Sequence, residues 1–214
     1  MTLVKVCGVT RIEDAERLSR LVDYVGVIVH SSIETPRLVD ARRAREIAEA
    51  AGRARPVAVA EGLEFEEALE LATKIEFPIL QYYGAPSERE LERASSSFSN
   101  VSVAVAVFYT RAEELERALR LAEEELVEYA LIDAPKRGAL VYELGLKMPL
   151  ELLARLGGRR RVGVAGGIKP SNAEFVARFR PHLIDVSSGV ESRPGVKDER
   201  LVLELLEAIR RALA

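Results

Sequence analysis

The stretch Arg161-Val162-Gly163-Val164-Ala165-Gly166-Gly167-Ile168-Lys169-Pro170, then an amphipathic run over 171–179, then Leu183-Ile184-Asp185-Val186-Ser187-Ser188-Gly189-Val190-Glu191, sets the architecture. It reads as strand, glycine-bearing loop, helix, strand and glycine-bearing loop. The β-branched runs are short enough for strands, and the segment between them carries apolar residues at helical spacing. Toward the N-terminus the same alternation fills the chain. Further strands are expected at Leu3–Cys7, Tyr24–Val29, Pro56–Ala60, Pro78–Tyr82, Val101–Phe108 and Tyr129–Asp133, with the last two at Arg161–Ala165 and Leu183–Val186. Helical segments are expected at Ile12–Leu21, Ala41–Ala51, Phe65–Thr73, Arg111–Glu125, Ser171–Phe179 and Asp198–Leu213, with Asp40 and Ser171 as N-caps. Ser95-Ser96-Ser97 reads as a local loop signal. Eight strand–helix units point to a closed (β/α)8 TIM barrel. An open doubly wound sheet is the runner-up, but Cys7-Gly8-Val9-Thr10-Arg11 lacks its Gly-x-Gly-x-x-Gly turn.

A chain of 214 residues fits one domain spanning 1–214. With 48% hydrophobic and 30% charged residues and a net charge of −3, it has the balance of a soluble globular protein. Lys and Arg are mixed with Glu along helical segments, so no nucleic-acid surface is expected. No stretch approaches the ~20 apolar residues of a membrane span, and the first residues are too few for a signal peptide, so a cytoplasmic protein is expected. Cys7 is the single cysteine, so neither a disulfide nor a zinc spacing is available. One Gln, two Asn and abundant Arg and Glu match a heat-adapted composition. The oligomeric state stays open, a homodimer included.

Barrel chemistry is found at the C-terminal ends of strands, which shortens the list to Cys7, Arg37, Gln81, Tyr83, Asp133, Gly166, Gly167, Asp185, Ser187, Ser188 and Gly189. The loops after strands seven and eight, with Gly166, Gly167, Ser188 and Gly189, are expected to hold a phosphate on backbone N–H groups. Strand alternation turns Lys5 and Cys7 into the barrel and Val4 and Val6 outward. A thiol beside an ammonium can serve as a base, although a lone cysteine also reads as a small buried hydrophobe. Asp133 ends an apolar strand across the barrel, as a general acid or as a loop cap. Asp185 faces the mouth or pairs with Lys5, since a buried ammonium needs a partner.

At these residues the chain closely resembles the phosphoribosylanthranilate isomerase family of tryptophan biosynthesis. Lys5-Val6-Cys7-Gly8-Val9-Thr10 is similar to its N-terminal signature and Asp185-Val186-Ser187-Ser188-Gly189-Val190-Glu191 to its C-terminal one. Thr35-Pro36-Arg37, Leu131-Ile132-Asp133, Ala165-Gly166-Gly167-Ile168 and Gly195-Val196-Lys197-Asp198 match further family motifs in order. The resemblance implies an Amadori rearrangement of a small sugar-phosphate substrate, with no metal or organic cofactor. It implies Asp133 as general acid, Cys7 as base and Arg37 on the anthranilate carboxylate. Gln81, Tyr83 and Asp185 are then expected to bind substrate, and Gly166, Gly167, Ser188 and Gly189 its phosphate. Three motifs depart from the family. Tyr83 stands where His is usual, Lys136-Arg137-Gly138-Ala139 replaces a glycine-rich stretch with cationic side chains that could compensate, and the third strand ends Ala58-Val59-Ala60-Glu61.

Two other readings compete for these residues. Another sugar-phosphate barrel is one, such as a pentose-phosphate epimerase or thiamine-phosphate synthase. The epimerases need His and Asp metal ligands, and the chain has only His30, which ends the second strand and could face the site, and His182, at the opposite end. A diverged, non-catalytic metabolite-binding protein is the other, which the joint presence of Cys7 and Asp133 argues against.

Overall fold

The computed structural model describes residues 2–135 and 138–214. Eight parallel strands run in sequence order around a closed barrel: β1 (Leu3–Cys7), β2 (Tyr24–His30), β3 (Arg55–Ala60), β4 (Ile79–Tyr83), β5 (Ser102–Phe108), β6 (Ala130–Asp133), β7 (Val162–Val164) and β8 (Leu183–Val186). The barrel closes where β8 pairs with β1, with Leu3 opposite Leu183 and Lys5 opposite Asp185. Closure leaves no exposed sheet edge, so the open doubly wound alternative is excluded.

Around the sheet lie α1 (Ile12–Leu18), α2 (Ala41–Ala50), α3 (Phe65–Lys74), α4 (Glu88–Ser97), α5 (Ala112–Glu123), α6 (Leu150–Leu156), α7 (Pro170–Ala177) and α8 (Glu199–Leu213). Between β8 and α8 the chain adds an antiparallel hairpin, β9 (Glu191–Arg193) and β10 (Val196–Lys197). No helix among the described residues is long and apolar enough to cross a membrane.

Strand alternation sorts the core into two layers. Val4, Val6, Ala130, Ile132, Ile184 and Val186 face the helices in the larger cluster. Cys7, Tyr129, Leu131 and Leu183 fill the barrel interior, where Lys5, Gln81 and Asp185 are also buried. Apolar and polar side chains thus share the barrel interior.

Two local expectations are corrected. Ser95-Ser96-Ser97 is the last turn of α4 and not a loop. That helix is anchored by Ser87, whose backbone N–H donates to Glu90 Oε2 at 2.7 Å while its hydroxyl accepts from Glu90 N at 3.3 Å, and by the buried Leu91 and Ala94. An anchored start and a buried face outweigh the weak helix propensity of serine. Ser171 is not the N-cap of α7, because the helix begins at Pro170 and Lys169 takes the cap position. Asn172 Oδ1 accepts from the Lys169 amide at 2.8 Å, which fixes the entry at that earlier position. Asp40 does cap α2, accepting from Arg43 N at 2.8 Å. Helices α4 and α6 were not singled out from the sequence.

Candidate active site

The loops at the C-terminal ends of the strands enclose a cavity of about 380 Å³. Cys7, Arg37, Tyr83, Asp133, Gly166, Gly167, Asp185 and Ser188 all line it, so most of the expected site residues meet in one place. Gln81 and Gly189 stand behind that lining. Gln81 is fully buried on β4, where its Oε1 accepts from the Tyr129 hydroxyl at 2.9 Å, and its Nε2 has no partner among the described residues. A side chain at Gly189 would put its Cβ 1.9 Å from the Ile168 carbonyl oxygen, so this glycine is where the loops after β7 and β8 press backbone against backbone. The cationic pair Lys136 and Arg137 lies outside the described residues.

Lys5 and Cys7 both point into the barrel from β1, as alternation requires. Lys5 Nζ lies 3.2 Å from Asp185 Oδ1, and Asp185 also lines the cavity, so it does both things the sequence left open. Burial pulls the Lys5 pKa down, but the charge of Asp185, with Cys7 and Tyr129, more than offsets this and holds the ammonium above its ordinary value. Burial pushes the Cys7 thiol up, and the neighbouring Lys5 charge and hydrogen bond pull the other way without cancelling it. Room for both side chains comes from Gly26 on β2, where an added Cβ would stand 2.9 Å from Cys7 Sγ and 3.1 Å from Lys5 Cε.

Across the mouth, Asp133 ends β6. Its Oδ1 accepts from the Ala134 amide at 2.7 Å and its Oδ2 from the Tyr83 hydroxyl at 2.9 Å. Burial and the charge of Asp133 raise the Tyr83 phenol well above its usual range, so Tyr83 serves as a neutral donor and not as a base. Each carboxylate oxygen of Asp133 therefore accepts a hydrogen bond.

On the β7 and β8 side, the Gly166 carbonyl accepts from Lys147 N at 3.1 Å and the Gly167 carbonyl from Asn172 Nδ2 at 2.9 Å. Among the described residues, neither glycine's amide donates a hydrogen bond. Two free amides beside a cavity suit an anion.

Arg37 reaches the cavity from the loop after β2. Its Nε and Nη2 donate to Glu191 Oε1 at 2.9 Å and Oε2 at 2.6 Å. Glu191 also accepts from Lys197 Nζ at 2.7 Å. Burial raises the Glu191 pKa, and the Arg37 hydrogen bond and Lys197 charge more than reverse that, leaving it lowered.

Sequence reasoning matched Glu191 and Lys197 to motifs but gave them no task, because the Arg37–Glu191 partners are 154 residues apart. His30 and Glu61, which also line the cavity, continue the inward-facing sets of β2 and β3. Alternation could have found Glu61, whereas exposed Lys147 carried no such signal. No group of three or more His, Cys, Asp or Glu side chains among the described residues could hold a metal.

The family model described as N-(5'phosphoribosyl)anthranilate (PRA) isomerase matches residues 4–208. The chain is 40% identical to N-(5'-phosphoribosyl)anthranilate isomerase of Pyrobaculum aerophilum, over 99% of this chain and 100% of that one. It is 42% identical to the Pyrobaculum islandicum protein of the same name, over 98% of each. Among solved structures it is similar to phosphoribosyl anthranilate isomerase from Thermotoga maritima, with TM-score 0.79 and 26% identity over 99% of this chain and 100% of that one. It is also similar to a phosphoribosyl anthranilate isomerase in complex with reduced 1-(o-carboxyphenylamino)-1-deoxyribulose 5-phosphate, with TM-score 0.73 and 27% identity over 99% of this chain and 100% of that one.

Proposed function

This chain belongs to the N-(5'-phosphoribosyl)anthranilate isomerase family, and we propose on that basis how its barrel mouth carries out the isomerisation. The reaction converts the aminoaldose N-(5-phosphoribosyl)anthranilate to the aminoketose 1-(2-carboxyphenylamino)-1-deoxyribulose 5-phosphate, a step of tryptophan biosynthesis. Asp133 gives its proton to the ribose ring oxygen. The C1–O bond breaks and C1 becomes an iminium carbon conjugated to the anthranilate nitrogen. Cys7, as thiolate, takes the proton from C2, now acidic beside the iminium, and an enolamine forms. Protonation at C1 and loss of the C2 hydroxyl proton give the ketone, so nothing is consumed.

The observation that carries this reading is that Cys7 and Asp133 line one cavity together with the Gly166-Gly167 and Ser188 loops. The distribution of charge supports it. Tyr83 and the Ala134 amide stabilise the carboxylate that Asp133 becomes, and Lys5 favours the thiolate of Cys7. The free amides of Gly166 and Gly167, with Ser188 and Gly189 from the facing loop, take the phosphate. Arg37 takes the anthranilate carboxylate. Its five N–H groups include two already given to Glu191, which leaves the end-on fork of Nη1 and Nη2 for the substrate. Gln81 does not line the cavity, so it acts on substrate only through what its buried amide holds in place. A related phosphoribosylanthranilate isomerase from Thermotoga maritima is dimeric, which supports a homodimer here, to be checked by light scattering.

The test follows loss of anthranilate-type fluorescence on freshly generated substrate. Cys7→Ala and Asp133→Asn are each expected to lower turnover by ~100-fold or more, the scale of losing a general base or acid, with the fold retained by circular dichroism. A near-normal rate in either variant removes that residue from the mechanism.

A further inference from the structure

Glu191 and Lys197 bury opposite charges side by side, with their side chains only 3% and 2% exposed. Lys197 Nζ has three N–H groups and three acceptors around it: the Cys7 carbonyl at 2.6 Å, Glu191 Oε1 at 2.7 Å and the Ser187 carbonyl at 3.3 Å. Its backbone N–H donates to the buried Asp14 Oδ2 at 2.9 Å, which ties the hairpin to α1. Glu191 in turn grips Arg37 side-on through two hydrogen bonds. One buried unit therefore joins the strand end that carries Cys7, the loop after β8 and the loop that carries Arg37. An ion pair of this kind is costly to desolvate and contributes little net stability by itself, which leaves geometry as its main effect.

Arg37, the outer member of the unit, lines the cavity with its side chain 21% exposed, against 3% for Glu191 and 2% for Lys197. We propose that Glu191 and Lys197 are positioning residues for the reaction: Glu191 aims the free fork of Arg37 at the carboxylate of the substrate, and Lys197 locks Glu191 and the Cys7 strand end into one frame. The inference rests on the reading that Arg37 holds that carboxylate, and it adds a specificity device to it. Held side-on by Glu191, the guanidinium presents a planar pair of donors matched to a carboxylate; released, it is a flexible cation with no preferred target.

Two competitive inhibitors separate the ends of the substrate: anthranilate probes the Arg37 side and inorganic phosphate the β7 and β8 loops. Glu191→Gln is expected to raise KM and weaken anthranilate inhibition by about 10-fold or more, as the loss of a charge-assisted pair implies, while phosphate inhibition stays within about twofold. Adding Glu191→Gln to Arg37→Ala should change KM by no more than about twofold, because the aim of an absent side chain no longer matters. Lys197→Met should lower kcat as well as raise KM, since it also frees the Cys7 carbonyl. Glu191→Asp keeps the charge on a shorter stem and should show the same anthranilate-selective loss in smaller degree, which supplies the test should Glu191→Gln not fold. Independent, additive effects of Arg37→Ala and Glu191→Gln, or equal weakening of both inhibitors, overturn the proposal. A raised KM in Arg37→Ala beside an unchanged one in Glu191→Gln overturns the clamp alone. An unchanged KM in Arg37→Ala overturns the carboxylate reading and the clamp together.

Discussion

The two ends of the barrel both gather charge, and they do so to opposite effect. At the N-terminal base, Glu128 accepts from the Tyr24 hydroxyl at 2.9 Å and pairs with Arg55, whose guanidinium lies 5.5 Å from the Tyr24 ring centre. Burial, with the Glu128 hydrogen bond, pushes the Tyr24 phenol up to about 12, so it stays a neutral donor. Tyr24 and Tyr129, with ring centres 5.5 Å apart, plug the interior above this cluster. Both carboxylate oxygens of Glu128 are taken by Arg55 and Tyr24. At the mouth, pairing fixes each group in place yet leaves donors over: the end-on fork of Arg37, the amides of Gly166 and Gly167, and a thiol beside a lysine. A charge cluster that closes on itself stabilises a fold, whereas one that stops short of closure leaves a site for a ligand.

Removing the deepest member of the mouth cluster should have the largest effect. Lys5→Met leaves Asp185 buried without its partner, at a cost of roughly 3–5 kcal/mol in urea unfolding. The pH dependence follows from the directions of the shifts. The Lys5 pKa is held above its unfolded value, so its contribution is complete through neutral pH and is lost only as pH climbs through the raised value. In the proposed mechanism Cys7 loses its proton to act; burial raises its pKa, and Lys5 works against that rise. Lys5→Met should therefore move the acid limb of the rate profile to higher pH. A profile that falls in height without moving would mean that Lys5 supports the fold and not the base.

A smaller perturbation probes the same contrast without touching a charge. Gly26→Ala places a methyl group 2.9 Å from Cys7 Sγ and 3.1 Å from both Cys7 Cα and Lys5 Cε. Overpacking of this kind costs ~1–3 kcal/mol. Displacing the proposed base by a fraction of an ångström should lower kcat by about 10-fold with KM little changed. Full turnover in Gly26→Ala would show that Cys7 tolerates displacement and that the close packing at β2 serves the core alone.

How much of the molecule is legible in its sequence depends on how far apart the cooperating residues lie in the chain. The barrel followed from strand alternation, which is local. Lys5 against Val4 and Val6, and Asp133 against Ile132, already state which face looks inward. The loops of β7 and β8 were legible because glycines gather at strand ends. Gly26 had a signal too, a glycine within a strand, but what approaches it belongs to β1 and could not be named. The proposed Glu191 clamp had no local signature, since Arg37 lies 154 residues from its partner on the β9–β10 hairpin. Helix α4 was missed for a related reason: three serines read as a break, while the burial of Leu91 and Ala94 against the barrel, a tertiary effect, decided for the helix.

The smallest expected effect lies at the base. Arg55 is 48% exposed and Glu128 19%, so solvent screens much of their attraction. Arg55→Ala removes this ion pair and the contact over the Tyr24 ring, for which ~1 kcal/mol or less in thermal unfolding is expected. Tyr24 keeps its hydrogen bond to Glu128, so no buried donor is orphaned. Because the base cluster is complete without reference to the mouth, kcat and KM should both stay at their parent values. A loss of turnover in Arg55→Ala, with the melting point hardly changed, would show the two ends coupled through the Tyr24–Tyr129–Gln81 column that joins them. The unpartnered Gln81 Nε2 would then be the place to look for that coupling, since it lies between the base plug and the cavity and is the buried donor on that path left without an acceptor among the described residues.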